Sequence, residues 1–204
     1  MSKYKSGEWT KQQIIDATFR LIADKGYDAM SIEDIMTEVG KTKGAFYSHF
    51  QSKEDLLYEV MRTKLDRKFS EIAENTLKKL EEEPCDVREI LLQLLEQVYQ
   101  SSTGSDPVWS ATYYQVFLLS RKNPFIREWL QEQYREWESF LATVVRRGQE
   151  LGQIRSDIEA RVMGNLLIAA FQGYELRLTV DPETDVFEQR HLVEAFLCKE
   201  AKNS

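Results

Sequence analysis

Residues 31–40, SIEDIMTEVG, run directly into residues 41–50, KTKGAFYSHF. Together they read as two short helices around a tight corner. Ser31 and Asp34 form a helix start, and Ile35, Met36 and Val39 then recur at helical spacing. Gly40 interrupts the pattern, and a second segment from Thr42 to Phe50 carries Ala45, Phe46 and Phe50 as its apolar positions. A helix-turn-helix needs a small residue at the corner so that its helices pack near a right angle, and Gly40 supplies it. In such a motif the first helix crosses a DNA backbone and the second enters the major groove. Thr42-Lys43-Gly44-Ala45 is small, polar and basic, with little to bury, and suits a groove about 12 Å wide. Phe46 and Phe50 would hold the helix in place. Tyr47, His49 and Lys53 would flank it, with groups suited to phosphate oxygens.

Outward from this stretch the chain reads as helix after helix. Thr10 and Gln13 form a capping box ahead of Ile14, Ile15, Phe19 and Ile22, and Lys25-Gly26 forms a stop. Ser52 caps a fourth helix that runs to about Leu80. Beyond the breaker at 81–84, Asp86 caps the next helix, and 101–106 read as a loop. Asp106-Pro107 and Asn123-Pro124 each pair a cap with a proline at the first helical position, opening helices 109–119 and 125–151. Ser156 starts another helix, to about Val180, and a last one spans about Asp185 to Cys198. Nine Gly and four Pro in 204 residues are few breakers. The expectation is an all-α chain of about nine helices: a helix-turn-helix domain over 1–55 and a long-helix bundle over 56–204.

Composition narrows the function. An apolar share of 42% and a charged share of 30% exclude a wholly disordered chain. Two cysteines, Cys85 and Cys198, and two histidines, His49 and His191, cannot build a disulfide framework, a four-thiolate zinc site or a multi-histidine metal site. Neither a metal nor another cofactor is expected. Residues 1–8 lack the apolar core of a secretory signal, and no stretch approaches ~18 apolar residues. The expectation is a cytoplasmic protein without a membrane partner. There is no Gly-rich phosphate loop, nucleophile elbow or His-based metal motif, so an enzyme is not expected. The net charge of −7 is unevenly spread. Residues 1–68 hold 12 Lys+Arg against 11 Asp+Glu, and residues 69–204 hold 15 against 23. A phosphate-binding face needs local positive charge, which the first third can supply.

Residues 10–60 resemble the DNA-binding domain of the TetR (tetracycline-repressor) family of bacterial transcriptional regulators. The run from Val39 through Lys41, Gly44, Phe46, Tyr47, His49 and Phe50 to Ser52, Lys53, Glu54, Leu56 and Leu57 is similar to that family's most characteristic stretch. Lys25-Gly26-Tyr27 and Ser31, Ile32 and Ile35 match it too, while Lys41 and Met36 depart from it mildly. The resemblance implies an all-helical homodimer whose divergent C-terminal domain binds a small molecule and releases DNA. It places Thr42, Lys43, Gly44, Ala45, Tyr47 and His49 at DNA, and Lys53 at a phosphate-contacting helix start. Ser31 would offer its hydroxyl and N–H to phosphate, or serve as a plain cap, or both. His49 is a packing residue on the alternative reading. Lys3 and Lys5 form either a basic arm or a solvated tail.

Large rings cluster beyond residue 108. Trp109, Tyr113 and Phe117 repeat every four residues, and Trp129, Trp137, Phe140, Phe171 and Tyr174 follow. Singly each reads as core. As a set they suit an apolar cavity lined by Trp109, Tyr113, Phe117, Trp137, Phe171 and Tyr174, for an apolar or aromatic effector. Gln172, Tyr113 or Arg177 would supply its hydrogen bonds. Gly164, Ala169, Ala170 and Gly173 allow close helix approach beside Leu166, Leu167, Ile168 and Phe171. With Phe187, Leu192, Val193, Phe196 and Leu197 they form a broad apolar surface. A dimer seam through the last two helices is the family's way of covering it, and packing within the chain is the alternative. Two-fold symmetry would make the double-stranded DNA operator an inverted repeat. The competing readings are an all-helical small-molecule sensor or carrier without DNA function, and a helical adaptor for protein partners.

Overall fold

A computed structural model describes residues 3–103, 107–181, 183 and 197, and they contain α-helix, one π-helical stretch and no strand. They divide into two compact units, Met1–Ser70 with Val108–Arg127, and Glu71–Pro107 with Glu128–Ser204.

The first unit begins with α1, Lys3–Lys25. The helix runs straight through Thr10, which therefore caps nothing: the backbone is already helical seven residues earlier. Ile14, Ile15, Ala17 and Ile22 form its buried face. In α2, Ile32–Val39, the expected start is present in full. The Asp34 N–H donates to Ser31 Oγ at 3.1 Å, and the Ser31 N–H donates to Asp34 Oδ2 at 2.7 Å. Gly40 ends the helix at φ 68°, a conformation that penalises any Cβ, and its N–H reaches the Thr37 carbonyl at 3.1 Å. That left-handed corner turns the chain into α3, Lys43–Tyr47.

Ser52 caps α4, Lys53–Val60, by accepting the Asp55 N–H at 3.0 Å. The rod does not continue as a plain α-helix. Met61–Asp66 wind as a π-helix before α5, Arg67–Glu81. Val60, just before it, and Met61 and Leu65 within it are buried. In α7, Pro107–Leu119, proline stands at the first position, as expected. Thr112 Oγ1 donates to the Phe19 carbonyl at 3.0 Å, fastening α7 to α1.

The second unit contains α6, Val87–Thr103, the greater part of α8, Pro124–Glu150, and α9, Ala160–Val180. Helix α6 extends over the first three residues of the expected 101–106 loop. Asp86 caps it, accepting the N–H groups of Arg88 and Glu89 at 3.0 and 3.3 Å. Asn123 caps α8 through the Ile126 N–H at 3.2 Å. Ser156 does not start α9, which opens at Ala160 behind Glu159 without a side-chain cap. Residues 151–159 form a connection instead. Arg155 grips Asp157 with two bonds of 2.7 and 2.8 Å, and Gln149 Nε2 donates to the carbonyls of Arg155 and Ile158. Leu91, Leu94, Phe140, Leu141, Val144, Val145, Met163, Leu167 and Phe171 build the core. The expected last helix lies outside the described residues apart from Leu197, which is buried.

Candidate functional site

Helix α3 is held from beneath and bare on top. Phe46 is fully buried and Phe50 nearly so, their ring centroids 5.7 Å apart, while Thr42, Lys43, Gly44 and Tyr47 are exposed. Burial of the two phenylalanines fixes the helix at about 1.5–3 kcal/mol each. Tyr47 is 56% exposed and meets Phe46 edge-on at 5.2 Å, so the phenol projects from a supported ring. Thr42 has an extended backbone and makes no side-chain capping bond, which leaves its hydroxyl available to a partner. Ala45 is half-buried at the edge of the bare face. Between Val39 and Lys53 the chain carries Lys41, Lys43 and Lys53 and no acid. The local positive charge required by a polyanion is therefore present on an acidic chain.

The remaining expected contacts are differently engaged. His49 is half-buried, with Cε1 3.9 Å from where a Cβ on Gly7 would sit, so one edge of the ring faces α1. Ser31 acts as the cap: its N–H and hydroxyl both donate to Asp34 Oδ2, at 2.7 and 2.6 Å, leaving neither for a phosphate. The Ser31 hydroxyl, and then Lys25 at 2.9 Å, hold the Asp34 carboxyl far below the usual carboxylate range. Lys53 turns inward. Its Nζ donates to the carbonyls of Tyr27 and Met30 at 2.9 and 2.8 Å and lies 4.4 Å from the Tyr27 ring centroid. In this structure the expected phosphate contact is a clasp between the start of α4 and the loop joining α1 to α2. Partners 26 and 23 residues away leave no local signal for it. Two further ties, Arg20–Glu38 at 2.7 Å and Lys11–Glu59 at 2.8 Å, fix α2 and α4 against α1.

The expected effector residues fall into both units. In the first, Trp109 and Tyr113 are buried and stacked, 5.4 Å apart with planes 6° from parallel. Phe69 meets them edge-on at 5.1 and 5.9 Å, and Lys68 Nζ lies 4.7 Å from the Trp109 ring. Phe117 is exposed. In the second unit Phe171 is buried, Trp137 and Tyr174 are half-buried, and Trp137 packs edge-on against Phe140 at 5.2 Å. Gln172 Nε2 donates to the Tyr134 hydroxyl at 2.7 Å, and Arg177 is exposed. The sequence reading passed over Gln133 and Tyr134. A signal for Gln133 existed, since it continues the apolar steps of Ile126 and Leu130 at helical spacing.

A buried-footed, bare-faced helix behind a left-handed glycine corner, followed by long helices, is the arrangement of a helix-turn-helix transcriptional regulator. Residues 14–60 match the family described as bacterial regulatory proteins, tetR family, and residues 87–201 match the C-terminal domain of BetI-type transcriptional repressors. The chain belongs to the tetR family. It is 26% identical over 180 residues to the HTH-type transcriptional repressor AcnR of Corynebacterium diphtheriae, covering 88% of this chain and 86% of that protein. A transcriptional regulator from Saccharomonospora viridis, solved in complex with choline, superposes with a TM-score of 0.76 at 26% identity, over 92% of this chain and 95% of that one. The regulator FadR of Bacillus subtilis, in complex with stearoyl-CoA, shares the fold at 19% identity, with a TM-score of 0.71 over 90% of this chain and 95% of that one. No helix among the described residues is long and apolar enough to cross a membrane.

Proposed function

We propose that the chain is a cytoplasmic, ligand-released repressor that binds an inverted-repeat operator as a homodimer. The observation that carries this reading is α3, with Phe46 and Phe50 buried and Thr42, Lys43, Gly44 and Tyr47 presented outward. A helix serving only to pack would not turn its small basic half to solvent. Thr42 and Lys43 read base edges, Gly44 and Ala45 keep the helix close to the groove floor, and Tyr47 and His49 contact phosphates.

The dimer seam is supported by α9. Val162, Leu166, Leu176 and Val180 are 47, 44, 56 and 83% exposed, and the small residues Ala169, Ala170 and Gly173 between them are exposed too. A stripe of that kind along a whole helix suits a second copy of itself, joined by the last helix. Two-fold symmetry then sets the α3 helices about 34–36 Å apart, or a multiple of it. The effector enters the C-terminal domain; that the two structural relatives were solved in complex with choline and with stearoyl-CoA supports a small-molecule effector.

The test is selection of bound sequences from a random DNA pool. An inverted repeat is expected. Thr42→Ala or Lys43→Ala should change the preferred bases. Recovery of no enriched sequence would leave the small-molecule sensor without DNA function as the better reading.

A further inference from the structure

The fold brings a late stretch of chain back to the helix-turn-helix unit, and that stretch carries positive charge. Residues 108–127 cluster with residues 1–70. Between Asp106 and Glu128 the sequence has Arg121, Lys122 and Arg127 and no acid. The unit so formed holds 15 Lys+Arg against 11 Asp+Glu, and the rest of the chain 12 against 23. Three contacts fix the stretch in place. Thr112 Oγ1 donates to the Phe19 carbonyl at 3.0 Å. Gln115 Oε1 stands 3.2 Å from where a Cβ on Gly26 would sit. Asn123 Nδ2 donates to Glu54 Oε1 at 2.7 Å and to the Tyr58 hydroxyl at 3.3 Å. Glu54 lies in the first turn of α4, and only residues 48–52 separate that helix from α3. The turn joining α7 to α8 is thereby set beside the segment through which the chain leaves α3.

This turn has a fixed backbone. The N–H groups of Lys122 and Asn123 both donate to the Leu119 carbonyl at 3.0 Å. Arg127 Nε and Nη2 donate to the carbonyls of Ser120 and Arg121, each at 3.2 Å. One arginine thus holds the turn, and the two cations at its crest, Arg121 and Lys122, are exposed and have no side-chain partner. Elsewhere in the unit most cations are engaged: Lys11 with Glu59, Arg20 with Glu38, Lys25 with Asp34, Lys64 with Asp16, and Lys53 in its clasp. Among the described side chains of the unit, the free cations are Lys41, Lys43, Arg121 and Lys122. The first two stand at the start of α3, and the other two stand on the turn.

We propose that the α7–α8 turn is a second contact with DNA, outside the helix-turn-helix, in which Arg121 and Lys122 take oxygens of the phosphodiester backbone. The proposal rests on the DNA-binding reading above and deepens it. Duplex DNA carries one charge per ~1.7 Å of axis, so a helix seated in the major groove has a row of phosphates along each edge. The chain that leaves α3 for α4 crosses one such edge. Lys53, the cation at that helix start, is folded inward onto the carbonyls of Tyr27 and Met30, so the turn supplies the free positive charge at this end. Glu54, the acid in contact with the turn, is engaged by Asn123 and Tyr58. Cations within a Debye length of phosphate, ~8–10 Å at ordinary salt, act on it even without a hydrogen bond. Phosphate contacts carry no sequence information, so the turn adds affinity and salt dependence and leaves base preference to α3.

The test uses the full-length protein on DNA selected from a random pool, with affinity measured from about 50 to 200 mM salt. One variant combines Arg121→Gln with Lys122→Gln. The control is Arg146→Gln, which removes a free, exposed cation from α8 in the other unit. The double variant should bind more weakly, and its plot of log affinity against log salt should be flatter by about 1.8, two contacts at about 0.9 each. Its gap from wild type should therefore close by about tenfold across that salt range. The preferred bases and the melting temperature should be those of wild type, and Arg146→Gln should keep the wild-type slope. The proposal is overturned if the double variant keeps the wild-type slope, if its preferred bases change, or if Arg146→Gln flattens the slope as much per charge. Failure of the wild-type protein to enrich any sequence would refute the DNA-binding reading and this contact with it. An enriched sequence that the double variant binds with an unaltered slope refutes the contact alone.

Discussion

Lys53→Met tests whether the inward-turned ammonium supports the fold or the DNA. The substitution keeps the aliphatic stem and removes the charge. Two bonds are lost, to the carbonyls of Tyr27 and Met30 at 2.9 and 2.8 Å, together with the cation–ring contact at 4.4 Å. Charge-assisted hydrogen bonds contribute roughly 1.5–3 kcal/mol each and a partly exposed cation–ring contact about 0.5–1. Lys53 is only half-buried, and water can reach the abandoned carbonyls, so a net loss of about 1–3 kcal/mol is expected. For a chain of this size that lowers the melting temperature by about 2–12 °C. Lys41→Met, at an exposed position, is the control and should stay within about 0.5 kcal/mol of wild type. The second measurement is the salt dependence of operator binding. A lost phosphate contact flattens the slope by about 0.9, and a lost clasp does not. The clasp reading predicts a lower melting temperature with an unchanged slope. A wild-type melting temperature with a slope flattened by about 0.9 would refute it.

Three further outcomes follow from the geometry. Glu59 receives Arg62 and Lys11, and these hydrogen bonds, Arg62's first, hold its carboxyl at about 2. A depressed carboxylate stabilises the fold above its unfolded-state value and loses that contribution as pH falls. The stability gap between wild type and Glu59→Gln should thus be full at pH 7 and close between about pH 5 and 2, as read by thermal melts at each pH. Gly44→Leu should abolish operator binding with the melting temperature unchanged or raised: a Cβ there meets only Thr42 Oγ1, at 3.7 Å, and leucine favours helix by about 0.5–1 kcal/mol. Gly164→Val should cost about 1–3 kcal/mol in denaturant unfolding, because its Cβ presses on the Ala142 backbone rather than on a flexible side chain.

What the sequence disclosed was the part written locally. Ser31, Ser52, Asp86 and Asn123 cap their helices as their spacing implies, and Gly40 makes its corner, because cap and capped group lie within a few residues. Thr10 carries the same pattern inside a helix, where the upstream residues continue the winding and the hydroxyl has no terminus to cap. Ser156 fails for another reason: its neighbours are satisfied by Gln149 and by the Arg155–Asp157 pair, and the helix waits until Ala160. The bare face of α3 was legible because Phe46 and Phe50 mark the opposite side. The inward turn of Lys53 and the capture of both Ser31 donors were not. The first depends on carbonyls in another segment, and the second on a side-chain rotamer that residue type does not specify. The aromatic set was visible as a set, but periodicity along single helices does not reveal that Trp109 and Tyr113 stack under Phe69 while Trp137 and Phe171 belong to a different core.

The wide turn at Met61–Asp66 places an unusual edit within reach of this chain. It spends one more residue than an α-turn would, so deleting a residue there removes a bulge and leaves a continuous rod. Insertions and deletions are ordinarily confined to loops, since in a helix they throw every following side chain onto the wrong face. Here the wide turn already absorbs the extra residue, so the deletion leaves α5 near its present phase, with Phe69 still facing the stacked Trp109 and Tyr113. Length variation at this one turn is therefore absorbed without a change of helix phase. Pairwise alignments of such chains should place a gap within 61–66 before forcing the buried faces of α4 and α5 out of step.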